Sequence, residues 1–237
     1  MFSLKKKFSI FMVSALIVVS TVAAQSSGRE MTVEESYLQE SIEMMIIRET
    51  ARAESREQKL IALEYISDAI DRGSTNEDIR LTLEYLSREG RRTVARESGR
   101  VVNNYPDIRR QSARFLGQLG TEEAKDALLE ITQIENEPMV IQEAIKSLGD
   151  IGLNENNETI ANIALVVRRF DNTNPDNLIA IAAIDAFEKI AIKNDGLNSP
   201  EAIQLLIRIT EGNYVAPVRE RARQLLADLR TQGNRTN

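Results

Sequence analysis

With 237 residues, 42% of them hydrophobic and 28% charged, the chain is long enough to bury a core and fits one or at most two domains. Aromatics are only 5% and tryptophan is absent, so the apolar content is mostly Ile, Leu, Ala and Val, which suits thin helical layers better than a core built on large rings. The net charge of −6 argues against a general polyanion binder, and the absence of His and Cys removes Ser-His and Cys-His nucleophile pairs, disulfides and the usual zinc or copper ligand sets.

Residues 1–24 read as an export signal. Lys5, Lys6 and Lys7 precede an apolar stretch, and Val22-Ala23-Ala24 supplies small residues, so cleavage is expected after Ala24. The rival reading is an uncleaved anchor, although residues 8–24 include four hydroxyl side chains and sit at the bottom of the spanning range. No cysteine follows to carry a bacterial-type lipid anchor. The mature protein is expected to be periplasmic or secreted, without stable membrane insertion, and at a net charge of −9 once the three lysines are gone. Residues 25–31 then form a short flexible N-terminus, 32–230 a repeat domain and 231–237 a disordered tail.

Thr32 and Glu35 form a capping box that opens a first helix from residue 33 to about 53. That helix carries Met44-Met45-Ile46-Ile47, for which core burial is the simpler expectation and a docking face the alternative. Downstream, LEYIS at Leu63 and LEYLS at Leu83 make a short echo. Ala62, Ile66 and Ala69 take the spacing of a phrase that becomes clear further on.

From Arg88 to Arg114 the chain places eight arginines against Glu89, Glu97 and Asp107, a local net of +5. Arg92, Arg96 and Arg100 recur every four residues, so on a helix they would form one stripe, with Val94 and Val101 opposite. Arg110 and Arg114 likewise fall opposite the apolar face of the segment that follows. The five residues Arg92, Arg96, Arg100, Arg110 and Arg114 are the candidate partner-binding set. Two readings stay open. The arginines either receive an acidic protein surface or an anionic envelope polymer, or they pair with the neighbouring unit 122–143, which carries seven carboxylates and one lysine.

The clear phrase is PDIRRQSARFLGQLG at 106–120 and PMVIQEAIKSLGDIG at 138–152, which align without a gap. Ile108, Ser112, Phe115, Leu116 and Leu119 follow the spacing of one helical face, and Gly120 and Gly152 then supply the left-handed residue that ends a helix. Weaker copies stand at 177–191 and 217–229. Partner helices are expected at 122–134, 158–170 and 201–210, with Thr121, Asn174 and Ser199 as N-caps. All five prolines fall between periodic segments, and no sustained alternation marks a strand. Asparagine-rich turns at 154–158 and 171–174 lack EF-hand spacing, and acidic pairs such as Glu122-Glu123 suit helix starts, so no cofactor or metal site and no catalytic set is read from the chain.

The phrase resembles HEAT-like repeats, in particular the short variety also found in phycobilisome-lyase-type proteins. Pro106, Ile108, Arg109, Ser112, Leu116, Gly117 and Gly120 fit that pattern, as do Pro217, Val218, Arg219, Ala222 and Leu226, whereas Ile141 and Ala180 stand where the family arginine would be. The resemblance implies an all-α fold, a right-handed α-solenoid of stacked antiparallel helix pairs (HEAT-like or ARM-like), with the phrase helices on the concave side. It also implies a non-catalytic protein-interaction scaffold. A lyase-type enzyme and a nucleic-acid-binding array are the alternatives, the second opposed by export, the acidic total and the scarcity of aromatics.

Overall fold

The computed structural model describes residues 32–171 and 175–233; the expected signal segment, the short N-terminus and Asn174 lie outside them. The described residues form ten helices: α1 (Val33–Arg52), α2 (Arg56–Asp71), α3 (Glu77–Ser87), α4 (Pro106–Leu119), α5 (Glu122–Ile134), α6 (Pro138–Ile151), α7 (Glu158–Phe170), α8 (Asn177–Lys193), α9 (Pro200–Glu211) and α10 (Ala216–Gly233). Two short strands, β1 (Arg96–Glu97) and β2 (Arg100–Val101), stand between α3 and α4. The helices pack as five consecutive pairs. Even-numbered helices contact one another in order to form one layer, and odd-numbered helices form the other. This is the all-α helical stack that the repeated phrase predicts, with all five copies of the phrase in the even layer.

The local grammar of each unit is visible in its ends. Thr32 and Glu35 close the capping box on α1, Thr121 and Ser199 accept N–H groups at the starts of α5 and α9, and Pro106, Pro138 and Pro200 occupy the first helical position of α4, α6 and α9. Gly120 and Gly152 take φ of +69° and +73°, and each N–H returns to the carbonyl of Leu116 or Leu148. Two boundaries differ from expectation. The cap of α8 is Asp176, whose Oδ1 accepts from Leu178 N and Ile179 N at 2.9 and 3.0 Å, so Pro175 lies before the cap and not at the first helical position. α10 runs to Gly233, into the region expected to be a tail.

Apolar residues at helical spacing fill the space between the layers. Ile108, Leu116, Leu128, Ile141, Ala144, Leu148, Ala183 and Phe187 are all completely buried in one continuous core. Within the even layer the helices approach closely because the facing residues are small. A Cβ on Gly117 would stand 2.6 Å from the Ser147 Cβ, and one on Gly149 would stand 2.6 Å from the Ala186 Cα. The Leu-Gly of the phrase is therefore a contact between successive repeats, α4 on α6 and α6 on α8, as well as a sequence signature. The Met44 to Ile47 cluster divides: Met44 and Ile47 are buried, while Met45 is exposed.

Candidate interaction surface

The arginine-rich segment between α3 and α4 is not a helix. It is a β-hairpin in which Arg96 pairs with Val101 and Glu97 with Arg100, closed by Ser98 and Gly99 at φ of 49° and 83°. Two successive positive φ values give the tight turn whose twist matches a two-stranded ribbon. The expected stripe of Arg92, Arg96 and Arg100 is thereby broken. Directly paired residues share a face and neighbours alternate, so Arg96 and Arg100 point to opposite faces of the hairpin. Arg92 instead forms an ion pair with Glu130 of α5 at 2.6 Å, and Arg96 Nη1 donates to the Gly99 carbonyl at 3.1 Å. The four-residue spacing of the arginines imitated a helical period. The Ser-Gly dipeptide flanked by Val94-Ala95 and Val101-Val102 was the signal that could have identified the turn.

At its base the hairpin is fixed by buried polar groups. Asn103 donates to Glu89 Oε1 at 2.7 Å and to the Thr93 carbonyl at 2.6 Å, and accepts from Ala95 N at 2.9 Å. Gly90 at φ +71° is required there, because a side chain would collide with the Asn103 carbonyl. Lys59 Nζ donates to the Ala51 carbonyl at 2.9 Å and lies 3.2 Å from Glu89 Oε2. Beside them Arg109 and Glu135, 0% and 1% exposed, form a buried pair. Arg109 Nε donates to Glu135 Oε2 at 2.6 Å, while its Nη1 donates to the Glu89 carbonyl at 3.1 Å and to Asn104 Oδ1 at 2.9 Å.

Glu135 collects more than one donor. Its Oε1 accepts from Arg91 Nη2 at 2.6 Å and from the backbone N–H groups of Asn136 and Glu137 at 2.8 and 3.0 Å. Burial pushes this carboxyl up, and the Arg109 guanidinium with the two N–H groups outweighs that, holding it below the usual carboxylate range. Arg91, Arg109 and the two backbone N–H groups make this carboxylate a buried structural anchor. Arg88 pairs with Glu130 as well. Of the eight arginines, Arg88, Arg91, Arg92 and Arg109 thus stitch the second helix pair to the acidic third, as the pairing reading expected.

Arg110 and Arg114 behave differently. Both are exposed on the outward face of α4, and neither has an ion-pair partner among the described residues. The Arg114 guanidinium lies 5.1 Å from the centre of the Phe115 ring, which restricts where it can point. Lys146 occupies on α6 the place of Arg114 on α4 and is half exposed, 3.7 Å from Glu143 of its own helix. The outward face of the even layer therefore carries three cations on two adjacent helices. By contrast, Lys125, at the start of α5 in the odd layer, is buried and encircled by Glu122, Asp126 and Glu158 at 3.5, 3.3 and 3.8 Å, a cation outnumbered by its carboxylates. Among the described residues no group of three or more acidic side chains is placed to hold a metal ion, and no helix is long and apolar enough to cross a membrane.

Residues 101–164 match the family model for HEAT repeats. That span begins in the hairpin and reaches α7, so it contains both clear copies of the phrase. No curated protein matches the chain. The matched repeats continue into the same two-layer packing on either side, from α1 to α10, and the chain is a HEAT-like repeat protein.

Proposed function

We propose that the protein is an exported, non-catalytic scaffold that binds an acidic protein segment on the even layer, with Arg110 and Arg114 as the reading residues. Helical repeat stacks present extended surfaces on which partners lie, and HEAT repeats generally mediate protein interactions. The observation that carries the assignment is the division of labour among the arginines. Four are spent on Glu130 and Glu135, whereas Arg110 and Arg114 stand in water on one helix face with Lys146 beside them. Guanidinium forks at one-turn spacing suit the carboxylates of an acidic segment. Arg96 and Arg100, on opposite faces of the hairpin, do not offer one surface and play a lesser part. Export rests on Lys5, Lys6 and Lys7 and the apolar stretch after them, and the absence of catalysis on a chain without His or Cys.

The test is crosslinking and co-purification from cell-envelope fractions, comparing the protein with an Arg110→Glu/Arg114→Glu variant. A crosslinked protein lost in the variant, while helicity and melting are unchanged, is the expected result. Partners retained in full by the folded variant would refute the site. Retention on a heparin column at physiological salt would point to nucleic acid instead.

A further inference from the structure

Inside the stack, fixed positions of each repeat meet its neighbours, and those positions show what each end of the array lacks. Gly117 and Gly149 face the following repeat, where they meet Ser147 and Ala186. Glu188, at the corresponding place on α8, reaches Arg221 of α10 in the same way. Ser147 and Ala186 thus mark the flank that faces the preceding repeat, and aligning α2 with α4 through Ala62 and Ser112 puts Tyr65 and Ile61 on that flank. Aligning the buried Met44, Ile47 and Ala51 of α1 with the buried Ile160, Ile163 and Val167 of α7 puts Ile42 at the place of Glu158, which lies 3.8 Å from Lys125 of the preceding repeat. Leu38, Ile42 and Met45 share one face at i, i+4, i+7 spacing. These five side chains are between 37% and 61% exposed. A stack end that faces only water carries a polar cap, and among the described residues this end does not.

At the other end, Arg219 in α10 stands where Arg109 stands in α4, three residues before the small core residue, Ala222 or Ser112. Arg109 reaches Glu135, which lies in the loop between the two helices of the following repeat. Arg219 has no following repeat among the described residues, and its Nε is buried without a hydrogen-bond partner. The first repeat carries a carboxylate in the corresponding loop: Glu54, between α1 and α2, exposed and outside every ion pair of the described residues. The two ends are also opposite in charge. α1 has five glutamates against Arg48 and Arg52, and α10 has four arginines against Glu220 and Asp228.

We propose that copies of the protein associate head to tail, the α9–α10 end of one copy on the α1–α2 end of the next, with Arg219 pairing with Glu54 as Arg109 pairs with Glu135 within the chain. The contact reuses the geometry by which successive repeats already meet and places the apolar flank of α1 and α2 against a second copy. It is heterologous, so it extends into a string or closes as a ring and is not limited to a two-fold dimer.

The chain has no cysteine, so Glu54→Cys and Arg219→Cys introduce the only thiols. An arginine–carboxylate pair holds its Cα atoms beyond the roughly 7 Å a disulfide can bridge, so a bismaleimide is the linker. In the full-length protein, the double variant should give a ladder of crosslinked species. The two single variants mixed should stop at dimers, and each alone should remain monomeric. Monomers only from the double variant would overturn the proposal, as would dimers from Glu54→Cys alone, which would mean a symmetric contact between N-terminal ends. Sedimentation velocity gives an independent reading: Arg219→Glu or Glu54→Arg should each weaken association about tenfold, and both together in one chain should restore it. Association indifferent to both single reversals would also overturn it.

Discussion

α4 is held to its surroundings in two unlike ways. Toward α6 the contact is apolar and close, with Gly117 seated on Ser147 and no room for a methyl group. Toward the hairpin and the loop after α5 it is ionic and fully buried, with Arg109 and Glu135 out of contact with water. The two junctions teach different things about stability. Close apolar packing loses stability gradually as shape is altered, whereas a buried pair is nearly neutral when intact and costly when one partner is removed, because the other charge is left without compensation.

The largest effect is therefore expected on the ionic side. Glu135→Ala should lower unfolding stability by about 3–5 kcal/mol in urea titrations, while converting Arg109 and Glu135 together to Met and Leu should lose less, the remaining loss coming from Arg91 and the Asn136 and Glu137 N–H groups left without their acceptor. A double variant as unstable as the single one would show that the junction depends on the charges for more than mutual compensation. The acid limb sharpens the same contrast. Because the Glu135 carboxyl is depressed in the folded state, its contribution is fully present above the unfolded value of about 4.3 and is lost as pH falls through the folded value. The stability difference between the protein and Glu135→Gln should shrink as pH falls below about 4.3, as measured by denaturation at a series of pH values. On the apolar side, Gly149→Ala should cost about 1–3 kcal/mol, because its methyl group would press on the Ala186 backbone. The smallest effect belongs to the outward face. Arg110→Glu/Arg114→Glu should stay within about 0.5 kcal/mol of the parent in thermal melts, which keeps its binding test clean.

The apolar junction was legible in the sequence and the ionic one was not. Ser112, Leu116, Gly117 and Gly120 recur as Ala144, Leu148, Gly149 and Gly152 because every repeat solves the same packing problem, and repetition is readable without knowing the fold. The outward direction of Arg110 and Arg114 followed from the same period. Arg109 and Glu135 are 26 residues apart and belong to different repeats, so only the stack itself shows that they meet. Arg92, Arg96 and Arg100 were misplaced because a spacing of four is also compatible with a ribbon once a turn intervenes, and Gly99 at positive φ supplies that turn. Single-letter periodicity cannot weigh a local turn against a helical pattern when both are present.

The loop that follows α5 is held by three arginines from both sides. Arg91 and Arg109 reach Glu135 from the second helix pair, and Arg169, from the fourth, donates to the carbonyls of Thr132, Gln133 and Glu135 at 2.9, 3.1 and 3.0 Å. A simple repeat array couples only nearest neighbours and can unravel one unit at a time. Here one loop of the third pair carries the coupling to both of its nearest neighbours, which ties the three units into one block. The middle of the molecule should open as one cooperative segment, with α1 and α10 fraying at lower free energy, and amide exchange would show two levels of protection where an uninterrupted gradient would otherwise run from each end.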